Sequence, residues 1–327
     1  MMTKQPIEFF DPEIQHLAAS NGGRLYKMQN STGEGLISEY TVFPGIEFFY
    51  NDFHMKDGQN QNKRPQPDMI EINYCWEGRF ECEFQNGDYQ YMGAGDLSIH
   101  RLSHATRKTS FPMEYYHGIS ITIDLPQAQR TIQALETVMG DLDIRLDEIT
   151  EKFCREDTCY VVRSNHEIAH IFAELYVVPP ERAAHYLKAK VLELLMLLND
   201  LPQGSFAQKR QFFPHRQVAA VHAIHDWVTQ DLNRRDTLNE LSERFGIAQT
   251  TMKCCFKAVY GSSIYKYRKT CRMQTAAMLL QTTERSVTEI AVAVGYDNPS
   301  KFAETFKKEY GVTPMQFRKS PTEQSGL

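Results

Sequence analysis

The sequence predicts an α+β protein with a β-structured front, accessory helices behind it and an all-helical C-terminal domain. Three observations carry that expectation. Short runs rich in aromatic and β-branched residues crowd the first 125 positions. Apolar residues at helical spacing take over beyond Pro126. A phrase is then written twice, fifty residues apart, as FKAVYGSSIYKYRK at 256–269 and FKKEYGVTPMQFRK at 306–319.

A chain of 327 residues suits two domains, and 42% apolar with 24% charged residues excludes a disordered chain. No window holds eighteen consecutive apolar residues, and the N-terminus lacks a signal-type apolar core, so a cytoplasmic protein without membrane contact is expected. Seven scattered cysteines predict reduced, buried thiols rather than a disulfide scaffold, and Cys154 and Cys159 lack a second pair for zinc. Charge is uneven. From residue 215 onward 16 Lys and Arg face 11 Asp and Glu, whereas the first 214 residues hold 20 against 30. A basic back suits an anionic partner that the acidic front repels.

Taken in order, IEFFYNDF (46–53), MIEINYCW (69–76), RFECEFQ (79–85) and YQYM (89–92) read as strands. In RFECEFQ, Phe80, Cys82 and Phe84 alternate with Arg79, Glu81, Glu83 and Gln85, which predicts one buried and one wet face. Asn86-Gly87 offers the positive-φ pair of a tight hairpin. LSIHRL (97–102) and EYYHGISITID (114–124) complete a small barrel or sandwich over about 35–125, with helices over about 126–201. The clearest helix is 181–201, where Leu187, Val191, Leu194, Leu195, Leu198 and Leu201 form one stripe. The stripe packs on the sheet or on a second subunit. Residues 1–201 thus form one domain, and the Pro, Gly, Ser and Gln of 202–215 form its linker.

The duplicated unit is longer than the repeated words. Thr237 and Glu240, and Ser286 and Glu289, have the spacing of capping boxes. Each opens a helix that ends at a glycine, Gly246 or Gly295, as a sharp helix-to-helix turn requires. A second helix follows, with Met252, Phe256 and Val259 inward in one copy and Phe302, Phe306 and Tyr310 in the other. It ends at Gly261 or Gly311, and Ser263 or Thr313 starts the next helix, with Pro314 in the first turn. Each copy is therefore a helix-turn-helix. The connector 263–281 is helical and spans roughly 27 Å. Adjacent major-groove segments on one face of DNA recur about every 34 Å, so a rigid connector can hold two reading helices in phase.

At this point residues 216–320 resemble the DNA-binding domain of the AraC/XylS family of bacterial transcription regulators. The resemblance rests on Phe256-Lys257, Gly261, Arg272, Ala276, Leu279-Leu280, Ile290-Ala291, Gly295-Tyr296, Ser300-Lys301-Phe302, Phe306-Lys307-Lys308, Gly311-Val-Thr-Pro314 and Phe317-Arg318. GSSIYKY and DNPSKFAETFKKEYG are closest to the subgroup that includes siderophore-responsive regulators. The resemblance implies a cupin-like N-terminal barrel for sensing or dimerisation, and MGAGDLSIHRLSHA is similar to a turn and strand of such barrels. It also implies promoter DNA and RNA polymerase as partners, activation as the outcome, a small-molecule effector and a homodimer. Residues 321–327 are left as a tail.

Gln249, Thr250, Lys253, Cys254 and Lys257 should face outward on the second helix of the first copy. The family's base-contacting positions map onto Thr250, Lys253 and Cys254, and in the second copy onto Pro299, Ser300, Ala303 and Glu304. Lys301 is also outward, and Asn298, Thr305 and Lys307 suit phosphate. The family often has arginine where Cys254 and Glu304 stand, so base preference here departs from the common pattern. In the front domain Phe48, Tyr50, Tyr74, Trp76, Phe80 and Tyr91 are candidates to line an effector pocket.

Other readings differ in class. The N-terminal domain could only dimerise or bind a protein, or the chain could be an architectural DNA binder. A cupin-type metal enzyme fused to a DNA-binding domain needs clustered ligands. His54, His100, His104 and His117 show no HxH-plus-Glu spacing, and His166 with His170 lacks a third ligand. No enzyme, cofactor, metal or catalytic residue is expected.

Overall fold

A computed structural model of the chain describes residues 14–20, 23–58, 66–85, 89–103, 106–154, 160–202 and 213–319. The chain divides into two compact units between Pro214 and His215. The Asn86-Gly87 turn, His104, Cys159, most of the expected linker and the tail lie outside the described residues.

In the first unit the chain runs β1 (Gln15–Ser20), β2 (Gly23–Asn30), β3 (Gly33–Phe43), β4 (Ile46–His54), β5 (Gln66–Phe84), β6 (Tyr89–Gly93), β7 (Asp96–Leu102), β8 (Thr106–Ser110) and β9 (Tyr116–Asp124). Helices α1 (Leu125–Met139) and α2 (Leu146–Cys154), strand β10 (Tyr160–Arg163), and helices α3 (His166–Tyr176) and α4 (Pro180–Asp200) follow. Pairing is antiparallel throughout, in the order β1-β2-β3-β4-β9-β5-β7-β10, with β6 and β8 also on β5. Among the described residues this path is open and does not close into a barrel. Strand β5 belongs to two layers. Its first part pairs with β7 and β9, and after a bulge between Cys75 and Glu77 its second part pairs with β6 and β8.

The sheet starts earlier and ends later than 35–125. Strands β1, β2 and β8 carry polar or small residues on at least one face, and β10 sits among helices, so none announces itself by apolar alternation. The expected wet face of 79–85 is also corrected, because Glu81 and Glu83 are buried. Strands flank this segment of β5 on both sides, and Glu83 is met by Arg107 at 2.9 Å.

Two apolar layers lie on opposite faces of the sheet. On one, Ile46, Phe48, Ile70, Ile72, Ile99, Ile119 and Ile121 pack under the helices, with Ile132, Phe172, Leu187, Leu194 and Leu198 above them. The leucine stripe of α4 therefore covers the sheet of its own unit. The alternate residues, including Phe49, Phe53, Cys75 and Tyr116, form the second layer with Met28, Met92 and Phe111.

The second unit comprises α5 (His215–Gln230), α6 (Leu238–Phe245), α7 (Gln249–Tyr260), α8 (Ile264–Thr282), α9 (Val287–Ala293), α10 (Pro299–Tyr310) and α11 (Pro314–Lys319). Helix α5 packs on α7 through a buried stripe of Val218, Val221, Ile224 and Val228. The second copy gathers round the connector α8, whose Met273, Ala276 and Leu280 meet Ile290, Val294, Phe302 and Phe306.

Candidate nucleic-acid interface

Local chemistry defines each copy. The Thr237 hydroxyl accepts from the Glu240 N–H at 3.2 Å, while the Thr237 N–H donates to the Glu240 carboxylate at 2.7 Å. Ser286 and Glu289 repeat this with the same two distances. The returned N–H bond holds the Glu289 carboxyl below its ordinary range. Each box satisfies orphan donors of a short helix that could not otherwise stand alone. Thr313 and Gln316 form a similar reciprocal pair at α11.

The helices then end in left-handed glycines. Gly246, at φ +61°, closes α6, and Gly295, at φ +82°, follows α9. Gly261 and Gly311 close α7 and α10 at φ +76° and +77°. Both helix-turn-helix units thus exist where the sequence places them.

Their surroundings differ. A Cβ on Gly246 would meet open space, but one on Gly295 would lie 2.6 Å from the Leu232 carbonyl oxygen and 2.8 Å from Nη2 of Arg272. Arg272, on α8, donates from Nε to that carbonyl at 2.9 Å and again from Nη2. Burial, followed by the Arg268 charge, lowers its pKa. Arg235, just before α6, pairs with Asp297 at 2.5 Å, just before α10. The approach to the first copy is thereby tied to the turn of the second. Nearby, Trp227 lies between the guanidinium groups of Arg234 and Arg244, each 3.5 Å from its ring centre.

On α7, Thr250, Lys253, Cys254 and Lys257 are exposed and Gln249 is half-buried. Cys254 departs from the expected buried thiols, whereas Cys75, Cys82, Cys154 and Cys255 are buried. The Gln249 amide donates to Asn239 at 3.0 Å, and Asn239 in turn donates to Glu243, so this residue helps hold α7 against α6. On α10, Ser300, Lys301, Glu304 and Lys307 are exposed, while Pro299, Ala303 and Thr305 are half-buried. Asn298 is the N-cap, its Oδ1 accepting from the N–H groups of Ser300 and Lys301 at 2.9 and 3.2 Å. The Thr305 hydroxyl donates to the Lys301 carbonyl at 2.8 Å. Asn298 and Thr305 therefore have structural partners, while the lysines present free charge to one side of each helix.

The candidate effector residues do not share one space. Phe48, Tyr50, Tyr74 and Trp76 lie under α3, where Tyr74 stacks on Phe172 at 4.1 Å and Trp76 on Tyr176 at 4.5 Å. The Tyr50 hydroxyl donates to the Leu175 carbonyl at 2.7 Å. Phe80 joins the opposite layer, and Tyr91 stacks on Tyr89. This opposite face also carries a polar row that no local pattern announces, Glu47, Thr122, Glu71 and His100, directly opposite one another on β4, β9, β5 and β7. Oγ1 of Thr122 and Nδ1 of His100 are buried there without a hydrogen-bond partner.

The arrangement defines a double helix-turn-helix DNA-binding unit. Residues 241–320 match the family described as "Helix-turn-helix domain". The chain is 30% identical over 142 residues to the HTH-type transcriptional regulator ExsA of Pseudomonas aeruginosa, covering 41% of this chain and 48% of that one. It is 28% identical over 126 residues to the HTH-type transcriptional activator AarP of Providencia stuartii, covering 38% and 90%. Among solved structures, the C-terminal domain of AraT, a response regulator from Geobacillus stearothermophilus, is 28% identical. It covers 33% of this chain and 90% of its own, with a TM-score of 0.30. The second unit is a helix-turn-helix domain similar to those of bacterial transcriptional regulators. The chain spans about half the length of the first relative, 48%. No helix among the described residues is long and apolar enough to cross a membrane.

Proposed function

We propose that the protein is a sequence-specific transcription regulator, an activator acting at promoter DNA in the cytoplasm. The observation that carries this reading is the pair of capped helix-turn-helix units joined by one 19-residue helix and tied through Arg272 and Arg235. In this reading α7 and α10 enter successive major-groove segments. Thr250, Lys253 and Cys254, with Pro299, Ser300, Ala303 and Glu304, meet base edges. Gln249, Lys257, Lys301 and Lys307 flank them, and Asn298 and Thr305 support the end that meets phosphate. The domains are residues 1–201 and 216–320, with a linker between them.

The first unit is read as a cupin-like sensor that also forms the homodimer, and RNA polymerase is the protein partner. A small-molecule effector would be met on the polar face with Glu47, Thr122, Glu71 and His100, since α3 already covers most of the aromatic candidates. The siderophore-responsive subgroup is supported by the wording of the DNA-binding domain alone. An effector-independent regulator whose first unit only dimerises or binds a protein is the competing reading.

The test is genome-wide binding in the native host, followed by mobility shifts with the purified full chain on the enriched segments. Enrichment of promoter DNA, lost together with Lys253→Ala and Lys301→Ala, supports the reading. Absence of any enriched promoter would sink it.

A further inference from the structure

We infer that Asp52, His54 and His117 form a binding site for one divalent first-row transition-metal ion on the first unit. Asp52 and His54 stand two residues apart on β4, so their side chains leave the same face. The register of β4 with β9 sets His117 directly opposite Asp52. Three residues that are up to 65 positions apart in the chain thereby become neighbours.

The ligand atoms converge. Nε2 of His54 lies 2.9 Å and Nε2 of His117 3.0 Å from the same oxygen, Oδ1 of Asp52. All three atoms fall within 4.8 Å of one another. Metal bonds of about 2.0–2.1 Å place neighbouring ligands about 2.9–3.4 Å apart, so small side-chain rotations would admit an ion.

Neither approach is a hydrogen bond. Oδ1 of Asp52 and Nε2 of His117 are buried atoms without a hydrogen-bond partner. Two imidazole nitrogens and a carboxylate oxygen converging this closely form a ready donor set for one cation. Access is open, because the side chains of His54 and Asp52 are 52% and 49% exposed while His117 is 29% exposed.

The nearest alternative carboxylate on β3, Glu34 opposite His54, is already paired with Lys27 at 2.6 Å. On the other flank Glu77 of β5 stands opposite His117 and is exposed, so it or water can complete the coordination. Two imidazoles and one carboxylate suit zinc, nickel or cobalt rather than calcium or magnesium, whose sites are built from oxygen. The absent HxH spacing is no obstacle, because the sheet supplies what sequence spacing does not.

The proposal stands apart from DNA binding and is tested on the full chain by calorimetric titration with Zn²⁺ and Ni²⁺. One ion per chain is expected to bind in the tightest class. His117→Asn and Asp52→Asn should each weaken that class at least tenfold, with near-ultraviolet dichroism unchanged. The Co²⁺ form should show ligand-field bands without thiolate charge transfer. Wild type and both variants binding alike would overturn the site. So would a tight class removed by Cys254→Ser but kept in His117→Asn.

Discussion

Alanine at Gly246 and at Gly295 should cost very different amounts, although the two glycines hold the same place in the repeated unit. Both sit at positive φ, where an L side chain costs about 1–2 kcal/mol. At Gly246 nothing lies within 4 Å of the added carbon, so Gly246→Ala should lose only that amount. At Gly295 the carbon would arrive 2.6 Å from a backbone oxygen and 2.8 Å from Nη2 of Arg272. The oxygen belongs to Leu232 and accepts both Arg272 bonds, so relieving the clash stretches or breaks them. A hydrogen bond to a charged group contributes about 1.5–3 kcal/mol. Gly295→Ala should therefore lose about 3–5 kcal/mol. The assay is urea unfolding followed by Trp227 fluorescence in a Trp76→Phe background, which reports the second unit alone because the chain holds two tryptophans. Equal losses in the two variants would refute the reasoning, since they would mean that the second turn moves away from Leu232 freely.

Lys257→Ala, on the exposed side of α7, should weaken binding to every DNA sequence and lower the salt slope by about one unit, measured by mobility shift over a salt series. Glu304→Gln should leave non-specific affinity nearly unchanged but relax preference at one base position, at about 1–3 kcal/mol on the preferred site in a selection from random DNA. Glu47 has its pKa raised to about 6, by burial first and then by the Glu39 charge. A raised carboxyl stabilises the fold when protonated, and that contribution is lost as pH rises through about 6. Glu47→Gln should therefore raise the melting temperature of the first unit at pH 8 and make little difference at pH 4, by scanning calorimetry.

The helical unit was legible because its signals are local. Thr237 with Glu240, Ser286 with Glu289 and the four glycines each act within one turn of helix, so four adjacent residues define each device. Helix α5 carries no cap or glycine of that kind, and only the helical spacing of Val218, Val221, Ile224 and Val228 marks it. The sheet was legible only where alternation or aromatic density marked a strand. Strand β2 shows little of either and β10 is only four residues long, so their place is set by partners far along the chain. Burial of Glu81 and Glu83 was hidden for the same reason. Whether the polar face of a strand is wet depends on what lies over it, and on β5 Arg107 reaches over Glu83. Asp52 and His117 show the limit most sharply, because a one-residue change of register between β4 and β9 would send them to opposite faces.

The repeated words conceal an asymmetry that bears on DNA reading. The first copy carries its own stabilising contacts, with α5 packed on α7 and Gln249 bonded back to Asn239. The second copy packs its own core on α8 and is tied as well to what precedes the first, by the Leu232 carbonyl through Arg272 and by Arg235 through Asp297. A connector helix alone would fix the distance between α7 and α10 but leave their relative rotation to side-chain packing along α8. The Arg272 fork removes that freedom, because a planar guanidinium accepts only a narrow range of orientations toward its carbonyl. In the proposed docking, the phase between α7 and α10 would therefore depend on Arg272, a half-buried residue of the connector. Lysine, a point charge on a flexible stem, would keep the charge and lose the angle.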